Sequence, residues 1–312
     1  MLSSIKIAVI PAAGLGTRFA PATKVMPKEM LTVGEKPLIQ LAVEEALAAG
    51  IEKIILVISP GKEILIKQFE ENADLVAALI KGKKDKLLQK VNQSTLPEGV
   101  IDYVYQDKPL GLGHAVLCAK EKIGNQPFAV ILPDDTVFYK EGCLSQMMSL
   151  YKQVGGNVIA SCEVPREDSS KYGMFRISNK RGNYFHADGL IEKPSPEASP
   201  SNFCIFGRYI IQPEIFAFLE EKQIGAGGEI QLTDALSKLM ADQDFYGFLF
   251  KGQRMDCGSK LGFVQANLAH ALHDPEIAET VMEYLREILG ADKSVQSPAI
   301  PDIQFFTRKK TA

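Results

Sequence analysis

The chain has 312 residues, 46% of them apolar and none tryptophan, enough for one large core or two smaller ones. A formal net charge of −3 gives no basic excess, which argues against nucleic acid or an anionic membrane as a partner. The five cysteines, Cys118, Cys143, Cys162, Cys204 and Cys257, include no C-x-x-C pair. That pattern disfavours a zinc site or a disulfide framework and points to a reducing compartment. No basic-then-apolar leader opens the chain, and no apolar run nears the ~20 residues of a membrane span. The expectation is a soluble cytoplasmic protein.

Short apolar runs alternate with helical patterns along the first half. Residues 5–10 read as a buried strand. Leu38, Leu41, Ala42, Ala46 and Ala49 recur at helical spacing, with Gly50 where a C-cap belongs. Residues 54–58, 100–105 and 128–132 read as three further strands. Residues 62–93 read as helix, and the lysine cluster from Lys81 to Lys90 as its solvated face. Strands alternating with helices predict an α/β fold with a Rossmann-like mixed, mostly parallel sheet flanked by helices. Ligands of such sheets gather at the carboxyl ends of the strands, so the loops after Ile10, Tyr105 and Leu132 are the ones to watch.

The second half changes character. Residues 158–164, 174–178, 189–192 and 205–211 read as short strands between turn residues, which predicts a smaller antiparallel extension. Residues 194–200 form a proline-rich loop, and helical patterns return at 232–240 and 261–272. The expected division is one domain over 1–260, with halves 1–140 and 141–260. A helical segment over 261–290, a possible interface, and a poorly ordered tail over 291–312 follow.

The loop after the first strand carries Gly14-Leu15-Gly16-Thr17-Arg18, then Lys24 and Lys28, with no acid before Glu29. A dinucleotide fingerprint needs a third glycine where Phe19 stands, which disfavours a nicotinamide enzyme. A P-loop needs G-x-x-x-x-G-K-[ST], which is also missing. Glycines still let the backbone approach a phosphate chain, and three cations trailing the loop could offset a triphosphate's charge. The plain alternative is a structural turn with exposed cations.

The stretch PAAGLGTRFAPATKVMPKEML, from Pro11 to Leu31, resembles the signature of the sugar-1-phosphate nucleotidylyltransferases, in the wording of their bacterial uridylyltransferase branch. GLGHAVLCA from Gly111, VILPDD from Val130, YG at Tyr172-Gly173, IEKP from Ile191, GGEIQLTDAL from Gly227 and DCGSKLGF from Asp256 follow in the family's order. The resemblance covers residues 5–272. It departs at Asp135, where the family usually has an apolar residue, and at Ser259, where asparagine is usual.

This resemblance implies a Mg²⁺-dependent reaction of UTP with glucose 1-phosphate, giving UDP-glucose and pyrophosphate, in a homodimer or homotetramer. It assigns Asp134 and Asp256 as the metal ligands. Arg18 and Lys28 hold the β- and γ-phosphates, and Lys193 binds the sugar phosphate. Gly173 leaves room for the sugar ring, and Glu192 accepts from its hydroxyls, so the extension is the sugar-binding half. Ala12, Ala13, Gly14, Gly16 and Thr17 form the nucleotide loop, and Gln106 and Gly111 read the base together with Ala12 and Ala13. Asp135 is expected in a capping or supporting role.

Three physical expectations accompany these assignments. The nucleophile is a phosphate monoester with a second pKa near ~6, so no general base is required. His114, His186, His270 and His273 are accordingly expected to be structural or surface residues. Adjacent residues of a strand point to opposite sides, so Glu192 and Lys193 need a bend to share one ligand, and Pro194 makes a strand end there plausible. The Gln106 amide offers both a donor and an acceptor and can turn to suit uracil or cytosine, so alone it discriminates weakly. Other readings are the same chemistry with dTTP or another sugar 1-phosphate, or a silent sugar-nucleotide-binding regulator. The silent reading predicts loss of Arg18, Lys28, Asp134, Lys193 or Asp256, and all five are present.

Overall fold

The computed structural model describes residues 4–290, so the tail expected over 291–312 lies outside the described residues. Strand β1 (Ile7–Pro11) leads into the glycine loop, and a short hairpin, β2 (Thr32–Val33) with β3 (Lys36–Pro37), follows it. Strands β4 (Lys53–Ile58), β5 (Ile101–Tyr105) and β6 (Phe128–Ile131) complete a parallel array in the order β5-β4-β1-β6. The β-branched runs alternate sides as their period of two requires. Ala8, Ile10, Ile54, Leu56 and Ile58 enter one core, and Ile7, Val9, Ile55 and Val57 enter the other.

Helices cover both faces. Helices Leu38–Ala48 and Cys143–Val154 pack into the first core. Helices Leu112–Cys118, Ile215–Glu220 and Leu232–Leu239 pack into the second. Gly50 lies just past the first helix at φ +89°, a conformation in which glycine terminates a helix without strain.

Between β6 and the second half lies β7 (Asp135–Phe138). The sheet then continues with β8 (Asn157–Glu163), β9 (Gly173–Arg181), β10 (Tyr184–Glu192), β11 (Phe203–Ile211) and β12 (Phe245–Leu249). Strand β11 runs antiparallel to both β6 and β8, so the extension is continuous with the parallel array in one nine-stranded sheet, β5-β4-β1-β6-β11-β8-β12-β10-β9. Within the extension β8 and β12 are parallel, and β12 is a strand the sequence reading lacked. A separate ribbon pairs β7 with β13 (Gln253–Asp256). The stretch 62–93 is three helices rather than one: Ile64–Lys67, Ala73–Lys81, capped by the Asn72 side chain, and Asp85–Ser94. Asn72 and Gly82 supply the local stop and start signals.

One buried ion pair ties these layers together. The Arg208 and Glu45 side chains are 2% and 5% exposed, with Nη2 2.8 Å from Oε2. Arg208 Nη1 also donates to the carbonyls of Leu132 and Gly207, and Leu144 N donates to Glu45 Oε1. Removing one partner leaves the other charge buried without compensation. Glu45→Gln or Arg208→Met alone is expected to cost about 3–5 kcal/mol by urea denaturation, with much of the loss recovered in the apolar pair Glu45→Leu/Arg208→Met. A single variant as stable as the parent would overturn this role.

Candidate active site

The glycine loop leaves β1 at the carboxyl edge of the sheet. Ala12 N donates to Val57 O at 2.7 Å, which carries the backbone past β4 before it turns. Gly16 has φ +67°, and a Cβ there would stand 3.1 Å from Lys28 Cβ, so glycine fits both the backbone and the packing. Thr17 and Arg18 follow in the 3₁₀ turn Thr17–Phe19, and Arg18 Nη1 reaches Gly258 O at 3.4 Å. Phe19, where a dinucleotide fingerprint has glycine, packs edge-on against Phe263 with ring centroids 5.5 Å apart. The loop is therefore closed by an aromatic contact with the helix Lys260–His273. Lys24 is exposed.

Lys62, absent from the sequence assignments, fastens this loop. Its ammonium donates to Ala12 O at 2.7 Å, Gly14 O at 2.6 Å and Glu29 Oε2 at 3.0 Å. The available signal was its place in the loop after β4, a strand end of the kind that collects ligands. Glu29 is 1% exposed, and its Oε1 has no hydrogen-bond partner among the described residues. Burial pushes its carboxyl up, more than Lys62 and Lys28 pull it down.

The two aspartates converge from opposite halves of the chain. Asp134 follows β6, and Asp256 closes β13. Cys257 N donates to Asp134 O at 2.7 Å, and Gly258 N donates to Asp256 Oδ1 at 3.1 Å. A Cβ on Gly258 would stand 2.9 Å from Asp134 Oδ2 and 3.1 Å from Asp256 Oδ1, so both carboxylates flank one small residue. Lys28 Nζ lies 2.6 Å from Asp134 Oδ2. Burial works against ionisation of Asp134, but Lys28 outweighs it and holds the carboxyl below its usual range. The same contact raises Lys28 against the effect of its own burial.

The departures in the resemblance have structural places. Asp135 Oδ2 accepts from Gly207 N at 3.0 Å, and Oδ1 lies 3.6 Å from Arg254 Nη2. It supports a strand and caps no helix. Burial, with Asp134 and Asp256 adding to it and Arg254 opposing, pushes its carboxyl up to about 6. Ser259 caps the helix Lys260–His273 through Gly262 N at 3.1 Å, work a serine does as well as an asparagine.

Gln106 follows β5 and is 5% exposed. Its Nε2 lies 3.1 Å from Gly111 O and 3.0 Å from His114 Nδ1. A carbonyl only accepts, so the amide nitrogen is held toward Gly111, and the amide is not free to turn as the sequence reading supposed. Gly111 has φ +107°, and a Cβ there would stand 2.7 Å from Glu229 Cβ.

Gly173, Glu192 and Lys193 gather at the ends of β9 and β10. Gly173 and Glu192 are register partners, and a Cβ on Gly173 would stand 3.1 Å from Glu192 Oε2. The expected bend is present. Lys193 has φ +48°, its N–H donates to Tyr172 O at 3.0 Å, and its Nζ lies 3.3 Å from Glu192 Oε1. Thr233 Oγ1 donates to Glu192 Oε2 at 2.7 Å. Thr233 also escaped the sequence assignments, although it lies in the stretch GGEIQLTDAL.

Comparison with known proteins shows the family. The nucleotidyl transferase family model matches residues 7–272, and the chain belongs to that family. The chain is 45% identical over 287 residues to a UTP–glucose-1-phosphate uridylyltransferase of Staphylococcus epidermidis, covering 92% of this chain and 99% of the relative. The UTP-bound UGPase of Acinetobacter baumannii superposes with a TM-score of 0.82 at 40% identity, covering 93% and 100% of the two chains. A UDP-glucose pyrophosphorylase complexed with UDP-glucose gives 0.77 at 40% identity, covering 86% and 98%.

The Lys62–Glu29 contact has a pH signature. A folded pKa above the ordinary 4.5 means that the native state binds the proton more tightly, so Glu29's contribution is fully present below 4.5 and is lost as pH rises through the folded value. Lys62→Met removes the largest opposing charge and moves that loss to higher pH. The variant is expected to be about 1–3 kcal/mol less stable than the parent at neutral pH, the deficit narrowing on acidification. Urea denaturation across pH checks this, and an unchanged neutral stability would refute it.

Proposed function

We propose that the chain transfers the uridylyl group of UTP to glucose 1-phosphate, releasing pyrophosphate and forming UDP-glucose, with the site residues acting as follows. The observation that carries the reading is the convergence of Asp134, Asp256, Lys28 and Arg18 around Gly258, beside a glycine loop at the sheet's carboxyl edge.

The sugar phosphate is already largely dianionic at neutral pH, so one of its oxygens attacks the α-phosphorus without a general base. The bond from that phosphorus to the β-phosphate oxygen breaks in line, and its electron pair leaves with pyrophosphate. Positioning and charge neutralisation then supply the catalysis. Arg18 and Lys28 hold the β- and γ-phosphates and stabilise the leaving pyrophosphate. Lys193 brings in the sugar phosphate, Glu192 accepts from the sugar hydroxyls, and Gly173 makes room for the ring. The backbone of Ala12, Ala13, Gly14, Gly16 and Thr17 lies along the nucleotide, and Gln106 with Gly111 reads the base.

Asp134 and Asp256 would hold Mg²⁺, which when bound neutralises phosphate charge during the transfer. Two carboxylates fit that ion, which takes its remaining ligands from substrate phosphates and water. Among the described residues no group of three or more His, Cys, Asp or Glu is placed as a metal cage, consistent with a site that substrate completes. Asp134→Asn and Asp256→Asn should each lower turnover at least ~100-fold while leaving the fold intact, the scale of one lost transition-state electrostatic contact. Pyrophosphate release from UTP, Mg²⁺ and glucose 1-phosphate tests both the reaction and the ligands. No release by the parent protein would sink the reaction, and near-parental rates in either variant would sink the metal assignment.

The same reading takes 1–260 as one catalytic unit, its 1–140 half facing the nucleotide and its 141–260 half facing the sugar. The segment 261–290 serves a homo-oligomeric interface. Leu261, Val264 and Leu268 recur on one side of the helix Lys260–His273 at 69%, 63% and 38% exposure, and Tyr284 and Ile288 of the helix Ala278–Leu289 are 62% and 60% exposed. Sedimentation should show a dimer or tetramer that Val264→Glu/Tyr284→Glu dissociates, and a monomeric parent would refute the interface. No described helix is long and apolar enough to cross a membrane. All five cysteines are free thiols, which goes with a cytoplasmic location.

A further inference from the structure

We propose that His114 is a positioning residue for base selection: its Nδ1 helps to hold the Gln106 amide with the carbonyl oxygen, not the NH₂, presented to the base. The inference rests on the reading that Gln106 meets the base.

The amide is fixed from three sides. Gln106 N donates to Ile58 O at 2.8 Å, which anchors its backbone at the end of β5. One Nε2–H faces Gly111 O at 3.1 Å, and the other faces His114 Nδ1 at 3.0 Å. With both N–H groups occupied, Oε1 is the amide's remaining polar face, and it is an acceptor.

The imidazole tautomer follows from its neighbours. Nδ1 is approached by the Gln106 amide N–H and, at 3.8 Å, by the Cys118 thiol. Both are hydrogen-bearing groups, so Nδ1 carries the lone pair and Nε2 the proton. Burial holds the imidazole's pKa below its usual value, with Lys222 adding to the effect, so the ring is neutral at neutral pH. Its helix is also held in place. Gly113 N donates to Ile230 O at 2.9 Å, and Ile230 N donates to Leu110 O at 2.7 Å. The Gly111 carbonyl and the His114 ring therefore approach the amide from one rigid corner.

Turning the amide over would set its oxygen against the Gly111 carbonyl and the Nδ1 lone pair. The Gly111 carbonyl can only accept and so opposes the turn, and His114 adds to that opposition as long as its proton stays on Nε2. Uracil presents an N3–H donor to an acceptor held in this way, whereas the corresponding N3 of cytosine is itself an acceptor. The device favours uracil over cytosine and treats thymine as uracil. An amide with one pin is a weaker discriminator, which is the property to measure.

The test compares kcat/KM for UTP and CTP, with glucose 1-phosphate and Mg²⁺ saturating, in the parent and in His114→Leu, His114→Asn and Gln106→Leu. His114→Leu removes the acceptor and should lower the UTP:CTP ratio about tenfold, the scale of one net hydrogen bond, chiefly through UTP. His114→Asn can offer its side-chain oxygen near the place of Nδ1 and should keep the ratio within about twofold. A merely structural histidine would lower both nucleotides together and leave the ratio alone. An unchanged ratio in His114→Leu beside a lowered one in Gln106→Leu overturns the role of His114 and leaves base reading by Gln106 standing. Unchanged ratios in both overturn base reading itself, and the proposal with it. An Asn variant as indiscriminate as the Leu variant also overturns it, because the acceptor would then not be what matters. If His114→Leu fails to fold by circular dichroism, His114→Phe keeps a ring without an acceptor and carries the same expectations.

Discussion

The buried pair of Glu45 and Arg208 is the constraint on which the rest of the architecture depends. Isolated, either charge would be costly so far from water, and the desolvation of both is offset only because the geometry is well satisfied. The guanidinium takes a carboxylate through Nε and Nη2 and two backbone carbonyls through Nη1. One of those carbonyls belongs to Leu132, two residues before Asp134. Glu45 in turn receives Leu144 N at the start of the helix Cys143–Val154. A helix of the first half, a strand of the second and the turn that carries a proposed metal ligand are thus fixed by one contact. A hydrophobic core would tolerate small slippage between these elements, and a forked, directional ion pair tolerates much less.

The site repeats the same logic at lower burial. Lys28 meets Asp134, Lys62 meets Glu29, Arg254 meets Asp135 and Lys193 meets Glu192. Each cation is held by a carboxylate already in place, so its position does not depend on a flexible stem finding an anion. The pairing also keeps the local charge near balance while leaving ammonium and guanidinium groups at the surface where phosphates would arrive. Of these cations, Lys28 and Lys193 are the ones assigned to substrate. The buried member, Lys62, is bound to main-chain carbonyls and shapes the loop from behind.

Much of the sheet is legible in the sequence because β1, β4 and β6 are apolar runs buried on both faces. The ribbon of β7 and β13 is not legible, since Asp135-Thr136-Val137-Phe138 and Gln253-Arg254-Met255-Asp256 carry no uniform apolar pattern. Their pairing is a tertiary fact. Glu45 and Arg208 read as ordinary polar residues of a helix and a strand until the fold brings them together, and Lys62 reads as one lysine among many. The bend at Lys193 is legible in part: the requirement for it follows from strand geometry, but the left-handed conformation of a non-glycine residue does not. Gln106 is legible as a polar residue at a strand end. The direction of its amide is set by Gly111 and His114 across the following turn, which residue types alone do not specify.

The ribbon also explains why two halves act as one site. The antiparallel contact of β11 with β6 joins the halves in a single sheet, but it places no second-half carboxylate beside Asp134. The register of β13 on β7 does so, because it sets Asp256 opposite Asp135 and lets Cys257 N bind the Asp134 carbonyl. Gly258 then turns the chain between the two carboxylates, and Gly262, where a Cβ would stand 2.1 Å from Asp256 O, lets the following helix start directly against them. A side chain at Gly258 would crowd both carboxylates, and one at Gly262 would displace the backbone of Asp256. The nucleotide half therefore lacks one of its proposed metal ligands until the chain has run through the whole sugar half and returned. In the proposed reading the halves divide the substrate contacts between them, and the two proposed metal ligands meet on the seam.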